Sequence, residues 1–147
     1  MNLNSGIRVD LLDGREWDYD LNWGGAGKIM IRDDFSRLYM LKSGAAEVTL
    51  KEKKVHLQPG KLYLFPCGVT ARYRCIKAMR LCWVHFRIEH LPGIDLFSRF
   101  DPPRELRQGT SSEADFSNLL AAFESAGPGG LVSGLSSLLL LIKDFLP

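Results

Sequence analysis

Cysteine and histidine are both scarce in this chain, at three residues each in 147. Cys67, Cys75 and Cys82 form an odd set without a Cys-x-x-Cys pair, which points to reduced thiols in a cytoplasmic protein rather than to a disulfide framework. His56, His85 and His90 lack a compact metal-ligand spacing, and each reads as a packed or surface residue. Neither charge sign dominates: 19 Lys and Arg against 17 Asp and Glu leave +2, too little to make nucleic acid the main partner of this segment. The longest apolar run, Leu138 to Ile142, falls far below the roughly 20 residues that span a bilayer. The N-terminal Met1-Asn-Leu-Asn-Ser-Gly6 has no basic-then-apolar leader pattern. A nucleophile elbow, a phosphate-binding glycine loop and paired catalytic carboxylates are all missing. Gly24-Gly-Ala-Gly27 lacks the GxGxxG pattern, and Asp33-Asp34 is a lone acidic pair that reads as a turn. Nothing repeats and no segment is of low complexity.

What is present is an ordinary globular composition, 46% hydrophobic and 24% charged. The length suits one domain that buries about two thirds of its unfolded surface. Residues 5 to 88 read as β structure. Trp17, Tyr19, Leu21 and Trp23 alternate with polar residues before Gly24 breaks the pattern. Leu38 to Leu41 is a short apolar run ended by Ser43-Gly44. Glu47 to Leu50 and Val55 to Leu57 flank Lys51-Glu-Lys-Lys54, a hairpin tip whose charges face solvent. Leu62 to Phe65 precedes Pro66, and Arg72 to Ile76 and Leu81 to Ile88 read as two further strands. Short strands at such spacing predict a sandwich, barrel or jelly roll.

The last third changes character. Leu91 to Gln108 is rich in Pro, Gly and charge and reads as a loop with one short turn. Thr110-Ser-Ser-Glu113 has capping-box spacing, and Phe116, Leu119, Leu120 and Phe123 follow at helical intervals. Gly127-Pro-Gly-Gly130 ends that helix, and a second runs from about Leu131 into Leu146.

Gly60-Lys-Leu-Tyr-Leu-Phe-Pro66-Cys-Gly68-Val-Thr-Ala71 resembles the second signature motif of cupins: a Gly, five residues, Pro-x-Gly, two residues, then a metal-binding His. Ala71 stands at the His position. Leu41-Lys-Ser-Gly44, Gln58-Pro-Gly60, Ala71-Arg-Tyr73 and Trp83-Val-His-Phe-Arg87 extend the similarity. Together they resemble the ligand-sensing half of AraC-type (arabinose-regulator-like) transcription regulators, over about two thirds of the chain. The resemblance implies a mainly β fold, a cupin double-stranded β-helix (jelly roll) followed by two C-terminal α-helices. It divides the chain into a sensing barrel, 1–110, and a helical dimerisation segment, 111–147. Two helix-turn-helix motifs are expected after 147.

The same register removes the metal. The first-motif Glu position is Arg37, the two preceding His positions fall in Met30-Ile-Arg-Asp33, and the fourth is Ala71. An arginine is permanently protonated and cannot ligate a cation. Alternation puts Arg37, Tyr39 and Leu41 on the face where cupin enzymes aim their ligands, with Ala71, Tyr73 and Cys75 on one face of a later strand. In arabinose-binding relatives an Arg, a Tyr and a Trp hold the sugar, and Arg32, Tyr73 and Trp83 match them best. Leu81 replaces a His those relatives use, which argues against arabinose itself. His85 shares the parity of Trp83. A guanidinium fork holds vicinal hydroxyls or a carboxylate, and a tryptophan face stacks on a sugar ring. Against this, Trp83, Tyr73 and His85 also fit plain core packing, and Arg32 and Arg37 fit solvated strand faces. Arg72, Arg74, Lys77, Arg80 and Arg87 read as exposed strand faces rather than a basic patch.

The resulting expectation is the effector-sensing and dimerisation domain of a cytoplasmic AraC-family regulator. Its candidate ligand residues are Arg32, Arg37, Tyr39, Tyr73, Trp83 and His85, and its effector is a small hydroxylated or anionic molecule such as a sugar. Metal and cofactor are expected to be absent, as is any membrane partner, and DNA is expected only through the further domain. Leu131, Leu135, Leu138, Ile142 and Phe145 follow a 4-3-4-3 spacing and are the expected homodimer seam. A stand-alone metal-free cupin enzyme of the sugar isomerase or epimerase type is the alternative.

Overall fold

Residues alternate between two apolar environments along the central strands of this chain, and that alternation organises the fold. The computed structural model describes residues 6–125 and 127–147. The expectation about the N-terminal leader concerns residues 1–6, of which all but Gly6 lie outside the described residues. Strands β1 (Arg8–Tyr19), β2 (Ile31–Arg32), β3 (Ser36–Thr49), β4 (Lys54–Leu57), β5 (Lys61–Phe65), β6 (Thr70–Leu91), β7 (Ile94–Asp95) and β8 (Glu105–Arg107) pair antiparallel. The sheet order is β1-β6-β3-β5-β8, with β2 and β7 on β6 and β4 on β3. Helices α1 (Ser112–Ala122) and α2 (Pro128–Ile142) follow. The mainly β fold with two C-terminal helices is as the sequence implied.

One set of side chains, including Tyr39, Leu41, Tyr63, Phe65, Tyr73 and Leu81, fills the barrel interior. The intervening set, Leu38, Met40, Leu62, Leu64, Val84 and Phe86, faces outward and is covered by Phe116, Leu119, Leu138 and Ile142 of the two helices. Burial on both faces explains why Leu38–Leu41 and Leu62–Phe65 are apolar without a polar face.

Several elements differ from the sequence reading. Leu38–Leu41 and Glu47–Leu50 belong to one strand, β3, because Ser43-Gly44 is a bulge and not a break: the register shifts there and Gly44 takes φ +87. Arg72–Ile76 and Leu81–Ile88 likewise join in the 22-residue β6. Leu21 and Trp23 lie beyond β1, in a turn where Gly24, Gly25, Ala26 and Gly27 all have left-handed backbone. Only a glycine-rich segment adopts such a run at low cost. The loop 91–108 contains β7, a short 3-10 turn (Leu96–Arg99) and β8. It is anchored by Phe97 in the outer core and by pairing of β8 with β5. The Thr110/Glu113 capping box does not form; the Gly109 N–H donates instead to Ser112 Oγ at 2.9 Å. Pro128 opens α2 at its first turn, where its fixed φ and missing N–H cost nothing.

The expected dimer seam needs correction. Leu138, Ile142 and Phe145 are each at most 1% exposed and fill the outer core of their own chain. The sheet's outer face is itself apolar and takes that stripe. Leu131 is exposed and Leu135 half-buried, and they sit beside Val132, Leu139 and Leu140 on the outer side of α2. Pro128–Phe145 is apolar and long enough by composition to cross a membrane, yet Leu138, Leu141, Ile142 and Phe145 pack on the sheet.

Candidate functional site

The bends in β3 and β6 bring two distant parts of the sequence together inside the barrel. At its upper end Arg37 pairs with His85 and Tyr39 with Trp83, while further along the same two strands Val48 pairs with Tyr73. Even spacing aims Phe35, Arg37 and Tyr39 inward from one side and Trp83 and His85 from the other. Tyr39, Phe65 and Tyr73 form a buried floor, at most 3% exposed. Tyr19, Trp23, Asp33, Phe35, Arg37, Trp83 and His85 are half-buried around it.

Arg37 is the centre of this arrangement. Its Nη1 donates to the Tyr39 hydroxyl at 2.9 Å, and its Nη2 pairs with the Asp33 carboxylate. Its guanidinium carbon lies 4.7 Å from the Tyr73 ring centroid and 5.3 Å from that of Phe35. Both are within cation–π range. Burial works against the charge, but Tyr39, Tyr73 and Asp33 outweigh it and hold the guanidinium protonated. Burial pushes the Tyr39 and Tyr73 hydroxyls up, so both remain neutral donors.

The aromatic lining is continuous. Trp23 meets the Tyr39 and Tyr73 rings edge-on at 6.0 and 5.7 Å, and Phe65 packs on both tyrosines. His85 lies between Phe35 at 4.4 Å and Trp83 at 4.5 Å. Trp83 Nε1 donates to the Tyr19 hydroxyl at 2.8 Å, which ties the end of β1 across the mouth. Burial, and then the Arg37 charge, lower the His85 pKa to about 4, so its imidazole is neutral at pH 7. The result is one ion pair, several hydroxyls and a neutral imidazole set among ring faces. That combination offers donors and acceptors to a small polar molecule and apolar faces to its carbon skeleton.

Five of the six expected ligand residues, Arg37, Tyr39, Tyr73, Trp83 and His85, converge here. Arg32 does not. It is exposed on β2 opposite Thr70, because its neighbour Ile31 takes the inward position. The sequence reading missed Asp33, Phe35, Phe65 and Tyr19 and placed Trp23 only in the core. Two signals were available: Phe35 continues the Arg37–Tyr39 alternation, and Asp33 stands four residues before Arg37 with the opposite charge.

Ala71, which the resemblance sets at a ligand position, is fully buried in the barrel core and has no donor atom. Among the described residues, no three of His, Cys, Asp or Glu come together in a metal-ligating group. A cleft of about 600 Å³ between β1 and α1 lies on the helix-covered side and is lined by none of the barrel-mouth residues around Arg37.

Residues 31–141 match the family model described as the AraC-like ligand binding domain. No curated protein matches the chain. Among solved structures, an oxalate decarboxylase is 16% identical over 38% of this chain, with a TM-score of 0.35, and the chain spans only 16% of that protein. KdgF from Halomonas sp. is 18% identical over 58% of this chain and 82% of its own, with a TM-score of 0.37. A cupin-2 domain protein from Shewanella frigidimarina is 16% identical over 61% and 74%, with a TM-score of 0.31.

Proposed function

Because the chain belongs to the AraC-like ligand binding domain family, we propose that the barrel mouth around Arg37 is the effector site of a transcription regulator. The observation that carries this reading is the guanidinium held among buried rings by Asp33 and Tyr39. A protonated guanidinium held in place at the barrel mouth offers charge-assisted donors to a ligand. The effector is a small hydroxylated or anionic molecule, such as a sugar, hydrogen-bonded by Arg37, Asp33 and the tyrosine hydroxyls and stacked on Trp83. Charge-assisted hydrogen bonds of this kind contribute about 1.5–3 kcal/mol each.

In this reading the chain binds and does not turn its ligand over. An effector that draws Arg37 or Asp33 into new bonds shifts the loop between β2 and β3, and a population shift is the signal passed on. The regulator acts in the cytoplasm as a homodimer, and its DNA contacts are made outside this barrel. The outer side of α2, with Leu131, Val132, Leu139 and Leu140 exposed, suits the dimer contact.

The test is a tryptophan-fluorescence titration with neutral sugars and sugar acids on the wild type and Arg37→Met. Saturable quenching by at least one compound, lost in the variant, supports the reading. Equal binding by both proteins removes Arg37 from the site.

A further inference from the structure

A second polar site lies outside the barrel, where the β4–β5 turn meets the segment leading into β8. Lys53, Lys54, His56, Gln58, Lys61, Arg104 and Glu105 line a cleft of about 300 Å³. Four of these side chains are cations and one is a carboxylate. The charges are only partly matched. Lys54 meets Glu47 at 3.1 Å and Lys61 meets Glu105 at 3.5 Å, while Lys53 has no ion-pair partner among the described residues.

Arg104 is the least exposed of the four. Its side chain is only 14% exposed, and its one carboxylate partner, Asp101 at 3.1 Å, is 91% exposed and therefore well screened. Its position is fixed: Nη1 donates to the Pro102 carbonyl at 2.8 Å, and its own carbonyl accepts from the Leu64 N–H at 2.9 Å. Its Nε is buried with no hydrogen-bond partner among the described residues. A buried guanidinium with an unpaired N–H is costly unless an acceptor arrives. The opposite wall is braced as well. The Tyr63 hydroxyl donates to the His56 carbonyl at 3.1 Å and accepts from the Gln58 N–H at 2.9 Å.

We propose that this cleft binds a small phosphate monoester, its phosphoryl oxygens taken by Arg104, Lys61 and Lys53. A dianion with three terminal oxygens meets cations arriving from several sides better than a carboxylate does, and a guanidinium fork suits its geometry. The volume is enough for the phosphate and a short carbon skeleton. Tyr63 belongs to the barrel core, so a buried barrel residue braces the cleft wall, while the cleft is lined by none of the barrel's candidate ligand-binding groups. The inference stands independently of the effector reading.

The test is isothermal titration of the full chain at low ionic strength with inorganic phosphate and with glycerol 3-phosphate. One equivalent should bind. Arg104→Met should weaken it by about tenfold or more, and Lys53→Met combined with Lys61→Met by a similar factor. Lys77→Met, on an exposed part of β6 away from the cleft, should leave it unchanged. Circular dichroism checks each fold, and the lysine pair carries the test if Arg104→Met is unfolded. Heats no larger than those of chloride at equal ionic strength overturn the proposal, as does an equal loss in Lys77→Met. Binding of a short DNA duplex through these residues, with both phosphates silent, overturns it in favour of a nucleic-acid contact.

Discussion

The guanidinium carbon of Arg37 rests 4.7 Å from the centroid of the Tyr73 ring, although the two residues are far from being neighbours on paired strands. Arg37 stands opposite His85 in one half of the barrel, and Tyr73 stands opposite Val48 in the other. Their contact spans the interior and exists because β3 and β6 both bend. It gives the barrel a cation over an aromatic floor.

Arg37→Met should therefore affect binding and stability differently. Effector affinity should fall by tenfold or more, equivalent to about 1.4 kcal/mol. Stability should fall by about 1–2 kcal/mol, because Asp33 loses its partner but remains partly open to water. Tyr73→Phe keeps the ring under the cation and should retain most of the stability. Urea unfolding of the three proteins separates the charge from the ring. A Tyr73→Phe loss as large as that of Arg37→Met would show that the hydroxyl, not the ring face, matters.

His85 and Glu16 predict acid sensitivity in two successive windows that meet near pH 4 to 4.5. The His85 pKa is lowered to about 4 from 6.5, so the unfolded chain takes up a proton first and stability falls as the pH drops from about 6.5 towards 4. With partial exposure taken into account, the loss is about 2 kcal/mol. Glu16, bonded by Lys42 at 2.6 Å and Arg80 at 2.7 Å, is lowered to about 2 from 4.5. Its contribution is present above pH 4.5 and disappears as the pH falls through 2. Denaturation midpoints measured between pH 7 and 4.5 should be flatter in His85→Leu than in the wild type. An unchanged slope would assign that window to other groups.

Gly44→Ala should destabilise the chain by roughly 2–4 kcal/mol. At φ +87, an added Cβ would lie 2.5 Å from the Ala78 carbonyl oxygen and from Met79 Cα, both backbone atoms that cannot move aside independently. The bulge lets β3 cross from one half of the barrel to the other, so the variant should also weaken binding at Arg37. A midpoint within about 0.5 kcal/mol of the wild type would mean that the bulge relaxes freely.

The sequence carried the inward parity of Arg37, Tyr39, Tyr73, Trp83 and His85 because a strand imposes a period of two whatever its neighbours do. It did not carry the length of β3 and β6. Ser43-Gly44 reads as a stop in one dimension and becomes a bulge only when Met79 on the partner strand holds the backbone in place. Asp33 was legible as a turn residue but not as the partner of Arg37, since the pairing depends on where β2 ends. Pro128 reads equally as a helix stop or a helix start, and Gly127 ahead of it favoured the stop. The apolar residues of α2 extend almost around the helix, so their spacing alone cannot say which stripe meets the sheet.

That last ambiguity has a measurable consequence. Leu138→Asp and Ile142→Asp put an unpaired carboxylate into the outer core, at positions no more than 1% exposed, and should cost about 4 kcal/mol or more and unfold the chain. Leu139→Lys with Leu140→Lys changes positions that are 44% and 50% exposed, and should leave the fold intact. If α2 joins two copies of this chain through its outer side, the second pair alone should convert a dimer into a folded monomer. Sedimentation at several concentrations, with circular dichroism on the same samples, gives both readings. A lysine pair that stays dimeric moves the contact away from this helix, and a folded Ile142→Asp variant would show that the stripe packed on the sheet has been misassigned.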